Sequence, residues 1–289
     1  MVIPVYTINA FAKLPGGGNP AGIVLDADVL SESEMQQIAA TVGFSETAFV
    51  SKSDIADLRV RFFTPVNEVN LCGHATIGLF TLLLQMKRLE PGTYKQETKA
   101  GVLPVEIRPD GTALMTQNPP VFAEIISKEE IADSLGIAFD PDGFIANHLP
   151  AQVVSTGLRD ILIPVNSLSL LTQLKPDFDK ITKVSKRYNV VGYHLFTLKT
   201  KHSATAHCRN FAPLYDIPEE AATGTSNGAL CCYLYKYGLC DDTHMVFEQG
   251  YSMNRPSEIL AELTIERNEI VTVTVGGTAR DIGIIEITL

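Results

Sequence analysis

Along most of this chain apolar and polar residues alternate with a period of two, the pattern of half-buried strands. Val2–Ala10, Ala21–Leu25, the stretch from Gly43 to Val50, and Leu58–Phe62 read this way, and Thr93–Met115 reads as a run of strands. The pattern returns in Ala151–Ser155, Asp160–Pro164, Val191–Leu198, Ser203–Phe211, Thr243–Phe247, Glu258–Ile265, Ile270–Val275 and Ile282–Ile287. Helical spacing interrupts it. Ser31-Glu32-Ser33-Glu34 forms a cap before a helix through Thr41, with Met35, Ile38, Ala39 and Val42 on one face. Lys128–Leu135 and Asp177–Tyr188 are also helical. The strands and helices do not alternate as βαβ units, which argues against a doubly wound parallel sheet.

Two segments carry no polar face. From His74 to Met86 there is no formal charge before Lys87, and the sequence is apolar nearly all round. Such a helix is buried on every side, and at roughly 13 residues it is too short to span a bilayer. The second segment opens with Ala222-Thr223-Gly224-Thr225-Ser226-Asn227-Gly228 and continues uncharged to Tyr235. The approaches match as well: Arg61-Phe62-Phe63-Thr64-Pro65 before the first, Arg209-Asn210-Phe211-Ala212-Pro213 before the second, 148 residues later. This self-similarity predicts two pseudo-symmetric α+β domains, each a strand-rich unit around one buried helix. Asn118-Pro119-Pro120 is the expected linker, giving domains 1–118 and 119–279, with the final strand at 280–289 a candidate to cross back to the first.

Composition narrows the function classes. The net charge of −10, with no Lys/Arg run, argues against nucleic acid. No basic-then-apolar leader opens the sequence and no apolar run reaches membrane length. Five cysteines without a Cys-x-x-Cys pair read as reduced thiols of a cytoplasmic protein, with Cys231-Cys232 as core residues. His148, His194, His202, His207 and His244 show no metal-ligand spacing, so no metal is expected. Gly16-Gly17-Gly18 lacks a following Lys-Ser/Thr and reads as a turn rather than a phosphate loop.

Candidate chemistry gathers at the two helix starts. A helix N-terminus has orphan N–H groups and partial positive charge and so attracts anions. The first one carries Cys72, Gly73 and His74. Cys72 reads either as a small core residue or as a thiol activated by the helix end; His74 reads either as a satisfied structural histidine or as a cleft residue. At the second, Thr223, Thr225, Ser226 and Asn227 read as helix caps, or with Gly224 and Gly228 as a nest of backbone donors for an anion. Glu219-Glu220 reads as a solvated acidic pair, with Glu220 alternatively holding an amino group or an imidazole. Glu46 is either a surface residue beside a turn or a partly buried carboxyl, whose charged form burial disfavours.

At this point the sequence resembles the phenazine-biosynthesis PhzF-like family. The matching segments are Gly18-Asn19-Pro20-Ala21-Gly22, Phe44-Ser45-Glu46-Thr47-Ala48-Phe49, Cys72-Gly73-His74-Ala75-Thr76, the two Arg-led approaches, Ala222 to Gly228, Glu248-Gln249-Gly250, Arg255-Pro256-Ser257 and Val275-Gly276-Gly277-Thr278-Ala279. The resemblance implies the diaminopimelate epimerase-like fold, two β-barrel-like domains each around a central helix with the active site between them. It implies a cofactor-free homodimer that isomerises a dihydro-hydroxyanthranilate by proton shuttling. The family's catalytic glutamate falls on Glu46, its cleft histidine on His74, its backbone-donor glycine on Gly73, its second acid on Glu220 and its serine on Thr225. Two departures stand out: Glu220-Ala221 replaces Asp-Pro, and Thr225 replaces Ser. The related epimerases use a cysteine pair. Cys72 matches the first, but the second falls on Thr223, a poor base, which disfavours a two-thiol racemase.

The resulting expectation is a cofactor-independent isomerase of a small anionic metabolite, carboxylate-bearing, amino-acid-like or cyclic. Glu46, His74 and Glu220 are its catalytic candidates. Asn19, Cys72, Gly73, Thr223, Gly224, Thr225 and Ser226 are its substrate-binding candidates. A racemase using Cys72 and a catalytically silent binding homologue are the alternatives.

Overall fold

The computed structural model of the chain describes residues 1–137, 141–146 and 149–289; His148 lies outside the described residues. The chain divides into two compact units, Met1–Thr116 together with Gly276–Leu289, and Gln117–Val275.

The first unit begins with β1 (Val2–Ala10), β2 (Asn19–Val24), α1 (Glu32–Val42), β3 (Glu46–Ser51), β4 (Leu58–Phe63) and β5 (Glu68–Val69). The central helix α2 (Gly73–Gln85) follows, then β6 (Gly92–Thr98), β7 (Gly101–Ile107) and β8 (Ala113–Gln117). β2 pairs in parallel with β3, and β4 in parallel with β6. The β1–β2, β3–β4, β4–β5, β6–β7 and β7–β8 pairs are antiparallel. α2 is thus the crossover between two parallel strands, and every residue from His74 to Leu83 is buried. Helix and sheet meet closely at Gly78, where a Cβ would lie 2.8 Å from Cγ2 of Ile8. The amphipathic α1 packs Met35, Ile38 and Ala39 against Ile3, Val5, Phe49 and Phe63. Its start is a complete capping box: Ser31 accepts from Glu34 N–H, and the Glu34 carboxylate accepts from Ser31 N–H.

The second unit repeats this plan. It contains β9 (Val121–Ile126), α3 (Lys128–Ser134), α4 (Pro141–Phe144), β10 (Ala151–Ser155), β11 (Arg159–Pro164), α5 (Leu168–Gln173) and α6 (Phe178–Tyr188). It continues with β12 (Gly192–Thr197), β13 (Ala206–Ala212), β14 (Ile217–Glu220), α7 (Gly224–Lys236), β15 (His244–Gln249), β16 (Ser257–Glu266) and β17 (Glu269–Gly277). β11 and β12 are parallel, as are β13 and β15, and α7 is the crossover between the latter pair. α7 has 13 residues, as α2 has, and is buried from Ser226 to Leu234. The last strand, β18 (Ala279–Thr288), pairs antiparallel along β1 from Val2↔Thr288 to Ala10↔Ala279 and so belongs to the first unit.

These crossovers correct the reading that no βαβ units occur. Among the described residues β2–β3, β4–β6, β11–β12 and β13–β15 are parallel pairs, each with helix between its strands. The helices α1, α2, α6 and α7 are all legible in the sequence; the parallel pairing of the strands on either side of them is not, because strand direction and register carry no local signal.

The repeated Arg-x-Phe approach has a structural cause. Arg61 donates through Nε and Nη2 to both carboxylate oxygens of Glu68, each at 2.7 Å, and lies 5.1 Å from the centre of the Phe63 ring. Arg209 does the same with Glu219, at 2.8 Å twice, and lies 4.8 Å from the Phe211 ring. Each fork ties a strand leading into a central helix to the short strand that follows it. Glu219 is therefore a structural partner of Arg209, not half of a solvated acidic pair.

Candidate active site

The starts of α2 and α7 differ from those of α1, α3, α5 and α6. Side chains cap α1 (Ser31), α3 (Ser127), α5 (Ser167) and α6 (Asp177) by accepting from a first-turn N–H. At α2 the N-cap is Cys72 and at α7 it is Thr223, and neither side chain caps its helix. No acidic residue stands in either first turn. The Cys72 and Thr223 side chains thus do not supply the capping acceptor that Ser31, Ser127, Ser167 and Asp177 supply, and an α-helix offers its first-turn N–H groups no internal one. Both ends are held open by the same device. Thr76 bonds the Cys72 carbonyl through N–H and hydroxyl at 3.1 and 2.8 Å and meets Gln96 of β6 at 3.4 Å. Asn227 donates to the Thr223 carbonyl through N–H and Nδ2 at 3.2 and 2.8 Å and donates to Gln249 of β15 at 2.9 Å.

In the first unit, four functional side chains converge at the start of α2. Glu46 begins β3, opposite Ala21 of β2, and its carboxyl is 17% exposed. Its Oε2 is buried, accepts no hydrogen bond, and lies 3.4 Å from Nε2 of His74. Nε2 is also 3.3 Å from the Ser45 hydroxyl. Sγ of Cys72 is 3.3 Å from Nδ1 of the same ring and 3.9 Å from Nε2. Burial holds the His74 imidazole below its ordinary proton affinity; the Glu46 charge and, less strongly, the Pro20 backbone pull the other way. His74 is therefore a neutral imidazole at neutral pH, wedged between a thiol and a carboxylate. Asn19, buried at the start of β2, precedes Pro20.

In the second unit the start of α7 is anchored by a continuous polar network. Thr223 Oγ1 donates to Glu220 Oε2 at 2.9 Å, and Gln249 Nε2 donates to the Glu220 carbonyl and to Thr223 Oγ1 at 2.8 and 3.0 Å. Asn227 Oδ1 faces Nε2 of His194 at 3.3 Å, while Nδ1 of that ring faces Asn210 Nδ2 at 3.2 Å. With an amide oxygen on one nitrogen and an amide NH₂ on the other, His194 is neutral and protonated on Nε2. Burial agrees, pushing its pKa down to about 4. Asn210 also donates to Ser226, whose hydroxyl donates to Asp160 at 2.5 Å. Asp160 is fully buried, which pushes its pKa up to about 6 against the opposing Ser226 and Gly192 hydrogen bonds.

The structure thus gathers Glu46, Cys72, Gly73 and His74 within the first unit and Glu220, Thr223, Gly224, Thr225 and Ser226 within the second. It corrects the capping roles expected at α7. Thr223 serves Glu220, Asn227 serves the Thr223 carbonyl, and the Ser226 hydroxyl is committed to Asp160, so Ser226 offers an anion only its backbone N–H. Thr225 accepts at its carbonyl from Thr156 Oγ1 at 3.2 Å. The sequence reading missed Ser45, the Pro20 carbonyl, Asp160, His194 and Gln249 as parts of these clusters. Ser45, Pro20 and Gln249 stand inside quoted motifs; Asp160 and His194 carry no local signal, since strand pairing and burial create their roles.

The sequence model of the family described as "Phenazine biosynthesis-like protein" matches residues 8–282. The isomerase YfhB of Bacillus subtilis, itself uncharacterised, is 37% identical over 282 residues, covering 95% of both chains. The trans-2,3-dihydro-3-hydroxyanthranilate isomerase of Pseudomonas chlororaphis is 29% identical, covering 96% of both. Among solved structures, a Bacillus anthracis phenazine biosynthesis protein of the PhzF family matches over all of both chains with a TM-score of 0.91 at 33% identity.

Proposed function

Because this chain belongs to the phenazine biosynthesis-like protein family and is an isomerase, we propose that it moves a proton between carbon atoms of a small carboxylate-bearing metabolite, with Glu46 as general acid and base. The observation that carries this reading is the uncommitted, buried Oε2 of Glu46 beside a neutral imidazole. A carboxylate oxygen tied to no donor is free to take a proton from carbon. The electron pair of the broken C–H bond passes into the conjugated system of the substrate, and Glu46 returns the proton at a second carbon. His74 holds polar groups of the substrate, and Ser45 fixes the ring. The uncapped helix starts suit the substrate carboxylate, because orphan N–H groups and the helix dipole both favour negative charge there. Glu220, held by Thr223, is assigned a second, orienting acid role. The reading includes a cytoplasmic homodimer acting in a biosynthetic step without a cofactor.

A dihydro-hydroxyanthranilate of the kind named for the Pseudomonas relative is the first substrate to test. Glu220 and Thr225 are each larger than the residue the PhzF-like pattern carries there, which favours a related but differently shaped carboxylate. The test is proton NMR of that compound, and of a panel of cyclic and amino-acid-like carboxylates, incubated with the protein in D₂O. Deuterium appearing at carbon with a shifted double bond supports the reading; loss of the α-proton with inversion and no bond shift overturns it in favour of a racemase. The 3.3 Å contact between Cys72 and His74 is what favours that second reading, since an imidazole beside a thiol can generate the thiolate a racemase needs.

A further inference from the structure

We propose that Glu46, Cys72 and His74 form a binding site for one thiophilic divalent cation of the zinc class, and that the ion inhibits the enzyme. Among the described residues they are the one group of three metal-ligating side chains gathered this closely, with one donor atom from each lying within 4.8 Å of the others. Four-coordinate zinc, with bonds of about 2.0 Å to nitrogen or oxygen and about 2.3 Å to sulfur, sets its donors roughly 3.3–3.6 Å apart. With His74 Nε2 as the nitrogen donor, the separations here are 3.4 Å to Glu46 Oε2 and 3.9 Å to Cys72 Sγ. Small side-chain rotations close the remaining difference.

Two further features fit an ion. The Glu46 Oε2 atom is buried and lacks a hydrogen-bond partner, so a cation would supply the interaction it misses. The donor set of one sulfur, one nitrogen and one oxygen selects zinc-like ions over magnesium or calcium, which take oxygen. Three protein ligands leave a fourth position open, and Glu46, the most exposed of the three, marks the side of entry. The sequence hides this set because Cys72 and His74 are two residues apart on a helix start while Glu46 arrives on another strand.

Ion binding follows from the donor geometry alone; inhibition also rests on the proposed role of Glu46, whose free oxygen the ion would occupy. The experiment separates the two. Zn²⁺ is titrated against a chromophoric chelator, and Co²⁺ is added while near-ultraviolet absorption is followed. The wild type is expected to bind one ion per chain with a thiolate-to-cobalt charge-transfer band. Cys72→Ser and Cys72→Ala are expected to lose that band and at least about tenfold in affinity; Glu46→Gln is expected to lose a similar factor in affinity while keeping the band. Cys240→Ser, at a half-buried thiol of the second unit, is expected to behave as wild type. Circular dichroism confirms that each variant is folded. Binding that survives in both Cys72 variants, or that is lost in Cys240→Ser, overturns the site, as does the absence of binding. Binding as expected without slowing of proton exchange overturns the inhibition and counts against Glu46 as the base.

Discussion

Asp160 offers a sharp test of the network behind α7. It is 2% exposed, and burial pushes its pKa from the ordinary 3.8 up to about 6. The folded chain therefore holds this proton in a range where the unfolded chain has released it, so this group's contribution to stability falls as pH rises from about 4 to about 6. At about 1.4 kcal/mol per pH unit, that gap corresponds to about 3 kcal/mol. Asp160→Asn removes the titration while leaving an amide oxygen to accept from Ser226. Other carboxylates act in the opposite sense. Glu68, held low by Arg61, and Asp110, held low by Thr112, contribute stability that is lost as pH falls through their folded values. They are common to both proteins and cancel in the difference. The assay is urea unfolding followed by circular dichroism at a series of pH values, with the wild-type free energy subtracted from that of the variant. The difference is expected to rise by about 3 kcal/mol across the window, whatever constant offset the substitution brings, and to be level above it. A difference that stays flat or falls with rising pH would refute the assignment of a buried, proton-retaining Asp160.

Other outcomes follow from the same physics. Arg209→Ala is expected to cost about 3–5 kcal/mol of unfolding free energy, because it strands Glu219 and removes donors from the Leu171 and Leu174 carbonyls; Arg209→Lys, which keeps charge but not the fork, is expected to recover only part of it. Ser31→Ala breaks the capping box of α1 and is expected to cost about 1 kcal/mol, read as a lowered urea midpoint at unchanged slope. In nitrogen-15 NMR the His74 ring is expected to titrate with a midpoint below 6.5, and this group's contribution to stability to fall as pH drops from 6.5 towards that midpoint; a midpoint at or above 6.5 would contradict a desolvated ring.

Much of the fold was legible in the sequence because its signals are local. The capping box at Ser31 and Glu34, the strand Ala151–Ser155 and the helix ending at Tyr188 stand where alternation and capping chemistry put them. The two central helices were legible through the absence of any charged face, and their burial from end to end follows from it. Less legible were elements whose identity comes from partners. The two-residue β5 exists because it pairs with Phe62 and Phe63, and β9, with exposed Val121 and Ile125, exists because it pairs with β10. The site divides the same way. Glu46, Cys72 and His74 stood out as chemistry beside a helix start, but nothing in their spacing shows a carboxylate on β3 reaching 3.4 Å from a ring on α2. The Asp160–Ser226–Asn210–His194 chain joins three strands and a helix, and only tertiary pairing brings those residues together.

The most direct measurement of the central claim compares Glu46→Gln with Cys72→Ala in solvent-deuterium incorporation on the substrate found by the carboxylate panel. Glu46→Gln keeps the shape of the side chain and removes the group that carries the proton. It is expected to lower the rate of incorporation by about 10²-fold or more while the variant still binds the compound, and Cys72→Ala is expected to cost far less. An active Glu46→Gln beside an inactive Cys72→Ala would contradict the account and put the thiol in place of the carboxylate.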